Sequence, residues 1–291
     1  MKEAILYERL EDDFVRCMVC NHQCTIKPGK TGICGVRENR QGTLFALNYG
    51  MTAAIGVDPI EKKPLYHFMS GTKTYSLATA GCNLHCKWCQ NWQLSQRPII
   101  HPKETSGTLI KPSEHVENAI KHDCPSLSYT YSEPTIFIEY ALDTMVLARA
   151  KGLKNIWVTN GFMTPEALTA VMPYLDAANV DLKGSTERIY KRFCGGDAES
   201  VMRNLIQLHR GKVHLEITTL IILGVNDSEA ELSSIAEFIS RDLSPEVPWH
   251  LSRFFPGWKM SDKEPTPYET LLKAKKIGHE AGLNHIYLGN V

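Results

Sequence analysis

Apolar residues gather in short continuous runs at 75–80, Ser126 to Tyr131, Asn155 to Thr159, Ala178 to Leu182, Val213 to Leu220 and Trp249 to Phe254. Runs of this length predict strands buried on both faces. Between them the spacing becomes that of one-sided helices. Thr135 to Lys151 predicts a helix stopped at Gly152, and Thr164-Pro165 opens another with proline at its first position. Asp227-Ser228-Glu229 opens a further one, and Pro267 to Ala281 the last, before a short apolar run at His285 to Leu288. Lys111-Pro-Ser-Glu-His-Val begins another, with Ser113 as the expected cap. This alternation predicts an α/β fold with a parallel sheet and helices outside it. Units of this size suit a partial (β/α)6 barrel over residues 71–291, behind an N-terminal extension over 1–70.

In such barrels the chemistry sits where strands end. Each predicted strand does end in polar residues: the loop after Gly81, then Tyr129-Thr-Tyr-Ser-Glu-Pro-Thr135, Thr159-Asn160-Gly161 and Asp181-Leu-Lys183. The last two strands give Gly224-Val-Asn226-Asp227 and then His250, Ser252 and Arg253. Singly, each could be a cap or a turn. In succession they predict a polar ring at one end of the barrel. Asp58-Pro-Ile-Glu-Lys-Lys-Pro-Leu-Tyr-His-Phe68 is dense in charge and bounded by prolines. It reads as a loop closing one end of the domain, or as a source of Glu61, Lys62, Lys63 or His67 at the active-site mouth. Likewise, the Arg253–Lys259 loop could grip a substrate or plug the rim.

A chain of 291 residues with zero formal net charge is long enough for one barrel and offers no basic surface for nucleic acid or anionic membrane. No apolar run reaches membrane-spanning length, and the first residues lack the pattern of a signal peptide. Seven of the nine cysteines fall in two tight groups. Clustered thiols without a secretory signal predict metal sites in a reducing, cytoplasmic setting.

The first group is Cys17, Cys20, Cys24 and Cys34, a closed set of four that suits zinc or an iron–sulfur cluster. His22 could replace one ligand. The second is Cys82, Cys86 and Cys89 on one loop, with Trp88 just before the last. Three thiolates can hold three irons of a cubane and leave the fourth open to a ligand that is not protein. Cys194, ahead of Gly195-Gly196, could face the cavity and act there, or be a small buried side chain.

The CxxxCxxC spacing with its aromatic resembles the radical S-adenosylmethionine (SAM) superfamily. Residues 75–290 resemble the pyruvate formate-lyase activating enzymes within it. Cys17/Cys20/Cys24/Cys34, the Asp58–Phe68 stretch, Cys89-Gln-Asn-Trp, Tyr129-Thr-Tyr-Ser-Glu-Pro-Thr and Val180-Asp-Leu-Lys resemble more closely the AmmeMemoRadiSam system subfamily. The resemblance implies a 4Fe–4S cluster on Cys82, Cys86 and Cys89, with SAM on its open iron. It implies adenine near Trp88, the SAM ammonium at Ser132 and Glu133, and the carboxylate and ribose among Thr159, Asn160, Asp181 and Lys183. His250 is the implied ribose contact on the sixth strand. Val158 stands where some activating enzymes carry a cation-binding aspartate, so no such cation is expected.

The implied activity is reductive cleavage of SAM to a 5′-deoxyadenosyl radical that abstracts hydrogen from a substrate the sequence does not name. It needs a one-electron donor such as a flavodoxin or ferredoxin. The competing expectation is a metal-binding adaptor or carrier whose cysteines hold zinc alone.

Overall fold

The computed structural model describes residues 1–101 and 107–291. A central sheet begins with β1 (Met51–Pro59) and β2 (Lys73–Thr79), which pair antiparallel. It continues through β3 (Ser126–Tyr129), β4 (Lys154–Thr159), β5 (Ala177–Asp181), β6 (His214–Ile221) and β7 (Trp249–Arg253). From β2 to β7 each strand lies parallel beside the next in chain order. The short run near residue 286 adds one more parallel strand, β8 (Ile286–Gly289). Helices α1 (Pro112–Lys121), α2 (Ile138–Ala150), α3 (Pro165–Val171), α4 (Ala198–Arg210), α5 (Glu229–Glu237) and α6 (Tyr268–Glu280) join them. Sequential parallel strands with helical crossovers are the arrangement of a partial barrel.

Side chains on a strand alternate between faces, and the two faces here differ sharply. Ala178, Val180, Leu215, Ile217, Trp249 and Leu251 are buried in the apolar core. The opposite positions are polar: Asn179, Asp181, Glu216, Thr218, His250 and Ser252. That polar inner face is closed at its lower end by residues 60–72. Ile60 and Leu65 are fully buried and cluster with Ile156 and Ala177. The Pro64 carbonyl accepts from Asn179 Nδ2 at 2.8 Å, and the Tyr66 and His67 N–H groups donate to Glu216 at 3.0 and 2.8 Å.

Two small antiparallel sheets precede the barrel. One contains Lys2–Glu3, Thr43–Ala46 and Arg37–Arg40, the other Tyr7–Arg9, Val15–Cys17 and Thr25–Ile26. Within the expected extension over 1–70, β1 pairs into the barrel sheet and the following segment forms its floor. A buried ion pair ties the extension down: Arg37 clasps Glu139 of α2 through both terminal nitrogens, at 3.1 and 2.6 Å.

One cap read from sequence came out differently. Lys111 is the N-cap of α1, with Pro112 at its first position, so Ser113 lies inside the first turn. A 3₁₀ turn, Pro134–Phe137, capped by the Glu133 side chain, precedes α2. Ser228 and Thr164 cap α5 and α3 as the sequence predicts. Among the described residues no helix is long and apolar enough to cross a membrane.

Candidate active site

A cavity of about 330 Å³ opens at the C-terminal ends of the parallel strands, a volume suited to a small cofactor. Cys82, Cys86 and Cys89 all line it, with Trp88, Ser132, Glu133, Thr159, Asn160, Asp181 and Lys183. Residues nearly eighty positions or more apart in sequence therefore share one wall. His250 and Cys194 do not line it.

The cysteine loop keeps its shape through bonds from every side. Asn83 donates to the Phe162 carbonyl at 2.8 Å and accepts from Asn160 Nδ2 at 2.8 Å. The Cys194 and Phe193 carbonyls accept from His85 and Lys87 N–H, at 2.7 and 2.9 Å. Trp258 stacks on Trp92 at 4.2 Å, and Lys259 N–H donates to the Lys87 carbonyl at 3.0 Å. The Arg253–Lys259 loop thus braces the cysteine loop.

The sulfurs already have donors facing them. Leu84 N–H and Asn160 Nδ2 lie 3.4 and 3.8 Å from Cys82 Sγ, and the Ser95 hydroxyl lies 3.3 Å from Cys89 Sγ. Burial pushes the Cys82 and Cys89 thiols up. Cys86 goes down, because the Cys194 thiol donates to it and Lys183 adds positive charge against the cost of burial. Three thiols on the wall of one cavity, with N–H and O–H donors at hand, fit a cubane cluster with one open iron.

Lys183 Nζ meets Asp181 Oδ2 at 2.8 Å. Burial alone would lower this ammonium, but Asp181 and the nearby Cys86 and Cys194 hold it well above its ordinary value. It is a fixed positive charge in the cavity wall, suited to a carboxylate.

Glu133 lines the cavity and is also bonded within the protein. Its carboxylate accepts from Thr135 N–H at 3.1 Å, the Thr135 hydroxyl at 2.6 Å, the Thr159 hydroxyl at 2.7 Å and Asn160 N–H at 2.8 Å. Oε1 takes three of these donors and Oε2 only one, so Oε2 keeps capacity for one further donor. Burial raises its pKa against these donors. Glu133 fastens the ends of β3 and β4 together and thereby positions Thr159 and Asn160.

His250 lies lower, toward the floor. Its Nε2 bonds Glu216 at 2.6 Å, and its ring packs against Tyr66 and Tyr287 at 4.7 and 5.4 Å. Two residues on, Ser252 is the β7 side chain that reaches the cavity. Cys194 is fully buried behind Cys86, which leaves it a supporting role.

The charged stretch after Asp58 divides. Lys62 and Lys63 line the cavity. Glu61 instead accepts from Gly71 N–H, and His67 bonds Tyr287 at 2.6 Å. Sequence reasoning did not single out Tyr131, which holds a left-handed φ of 60° and also lines the cavity. Its hydroxyl donates to Asp58 at 2.7 Å, and Lys63 Nζ lies 2.8 Å from Asp58 and 4.5 Å over the tyrosine ring. Burial, with Asp58 adding to it, pushes the Tyr131 hydroxyl up to about 12. The signal was present in part: Tyr131 stands in the polar run that ends β3, and it keeps a backbone conformation that glycine adopts more readily.

The family model described as the Radical SAM superfamily matches residues 76–239. An uncharacterized protein of Methanocaldococcus jannaschii is 43% identical over 291 residues, covering 100% of this chain and 86% of that protein. The (2S)-3-sulfopropanediol dehydratase activating enzyme of Klebsiella oxytoca is 24% identical over 115 residues, 40% of this chain and 36% of that enzyme. A crystal structure of a radical SAM methyltransferase from Sphaerobacter thermophilus is alike in fold, with TM-score 0.56 at 13% identity, over 77% of this chain and 68% of that one.

Proposed function

Because the chain belongs to the radical SAM superfamily, we propose that Cys82, Cys86 and Cys89 hold a 4Fe–4S cluster at which SAM is reductively cleaved. The observation that carries this reading is the shared cavity: three thiols and the polar strand ends open onto one space. When bound, the cluster supplies one electron to the sulfonium of SAM, giving methionine and a 5′-deoxyadenosyl radical that takes hydrogen from the substrate.

The chain's own residues bind and orient. Lys183 offers its charge to the methionine carboxylate, with Asp181 holding the ammonium in place. Thr159, Asn160 and Ser132 offer polar contacts to the amino group and ribose, and Trp88 an apolar face to the adenine. Glu133 acts through Thr159 and Asn160, and His250 belongs to the floor. Leu84, Val158 and Leu220 supply apolar wall that limits water.

The electron comes from a one-electron protein donor of the flavodoxin or ferredoxin class. The substrate stays unassigned. The likeness to an activating enzyme spans 40% of the chain and does not by itself carry a glycyl-radical partner.

The test is anaerobic reconstitution with iron and sulfide, then dithionite and SAM. Methionine and 5′-deoxyadenosine are expected in equal amounts, and Cys86→Ala is expected to abolish both. A wild-type protein that takes up iron and sulfide yet leaves SAM intact would refute the reading.

A further inference from the structure

The four N-terminal cysteines, separate from the barrel cavity, meet around a hollow of their own. Cys17, Cys20, Cys24 and Cys34 line it with Val19, Ile26, Ile33 and Ile136. Cys17, Cys20 and Cys34 are buried, and none of the four is in a disulfide. Backbone N–H groups of Val19, His22 and Val36 face Cys17, Cys20 and Cys34 in turn. Donors around convergent thiols are the surroundings of a thiolate-held metal centre.

The volume of the hollow bears on which centre. The hollow has a volume of about 10 Å³, room for about one water molecule. Four thiolates drawn onto one zinc at about 2.3 Å touch one another and leave no such space. An iron–sulfur core, whose own irons and sulfides hold its ligands apart, fits such a set.

The wall also holds Gly32 and Arg37, and Arg37 is 1% exposed. Its two terminal nitrogens are taken by Glu139, while its Nε has no partner. A buried donor without an acceptor is rare and calls for one. The sulfurs of an anionic cluster in the hollow would provide it, and the charge of Arg37 would offset theirs.

We propose that Cys17, Cys20, Cys24 and Cys34 ligate a second iron–sulfur cluster, and that Arg37 Nε–H donates a hydrogen bond to one of its sulfurs. The centre lies against the barrel loop. His22 Nε2 bonds the Asn83 carbonyl at 2.8 Å, and the Cys34 carbonyl packs against Gly81.

The test uses the full chain with Cys82, Cys86 and Cys89 all changed to Ala, reconstituted anaerobically with iron and sulfide. Iron, acid-labile sulfide and visible charge-transfer absorption should remain, and adding Cys20→Ala should remove all three. Bound zinc without sulfide, or no bound metal, overturns the assignment. This outcome does not depend on SAM cleavage, so the two readings fail separately.

Arg37→Lys keeps a charge opposite Glu139 but removes the Nε–H. In a redox titration its cluster should have a lower midpoint potential, because the lost hydrogen bond favours the more negative, reduced cluster. Iron loss to a chelator should become at least about tenfold more favourable. Should that variant fold poorly, Arg37→Met with Glu139→Met replaces the pair by apolar side chains and should lower the potential likewise. An unchanged potential in a folded variant overturns the role of Arg37.

Discussion

Glu216 is buried, and four donors converge on its carboxylate. Tyr66 N–H and His250 Nε2 reach Oε2 at 3.0 and 2.6 Å, while His67 N–H and His214 Nε2 reach Oε1 at 2.8 and 3.0 Å. Burial alone would raise this carboxyl, but the two histidines and two backbone N–H groups outweigh it and bring the pKa from 4.5 to about 2. A shift of about 2.5 units corresponds to about 3 kcal/mol of preference for the ionised form. Glu216→Gln makes the group permanently neutral. Whichever way the new amide is turned, its NH₂ meets one imidazole, which can change tautomer, and one backbone N–H, which cannot. The variant should therefore lose about 3 kcal/mol at pH 7, seen in urea unfolding and as a midpoint about 5 °C lower. Amide exchange at Tyr66 and His67 should quicken. Because the folded pKa is depressed, the advantage of the wild type is complete above pH 4.5 and declines as pH falls toward 2. The deficit of the variant should be flat from pH 8 to 5.5 and smaller at pH 4. A deficit below 1 kcal/mol at pH 7, or one that grows in acid, would refute the argument.

Two further outcomes follow from the site. Lys183→Met keeps the apolar stem and removes the charge; equilibrium dialysis should show SAM affinity about 10- to 100-fold weaker, and unchanged affinity would remove Lys183 from the binding set. Gly81→Ala puts a Cβ at a φ of 108°, 3.0 Å from Val36 Cγ1 and 3.2 Å from the Cys34 carbonyl. It should cost about 2–4 kcal/mol in thermal or urea unfolding, and a wild-type midpoint would show that the loop absorbs it.

The barrel was legible because its signals are local. Each strand is a short apolar run, and each ends in residues that have no reason to be polar unless a cavity waits there. The cysteine loop was legible for the same reason. What escaped depends on partners far along the chain. Glu133 looks like a free carboxylate until Thr159 and Asn160 arrive from the next strand and bond to it. His250 points inward as expected, but the register of β6 and β7 sets it beside Glu216 and lower than the cavity. Cys194 is neighbour to Cys86 through the turn before α4, which no spacing reveals. β1 was placed in the N-terminal extension because its residues largely alternate between half-buried and exposed, a weaker signal than the continuous runs of the inner strands.

The floor has a consequence for how the chain is made. Tyr66 and His67 bond to Glu216 across 150 and 149 residues, and His67 bonds to Tyr287 across 220. Ile60 and Leu65 therefore leave the ribosome long before β4 and β5 exist to cover them. The segment that closes the barrel is synthesised before its walls and locked only after most of the chain has been released. Contacts of such long sequence separation make for slow closure, and the uncovered apolar side chains are exposed to aggregation meanwhile. Truncations from the C-terminus should accordingly harm this early segment, far from the cut in sequence.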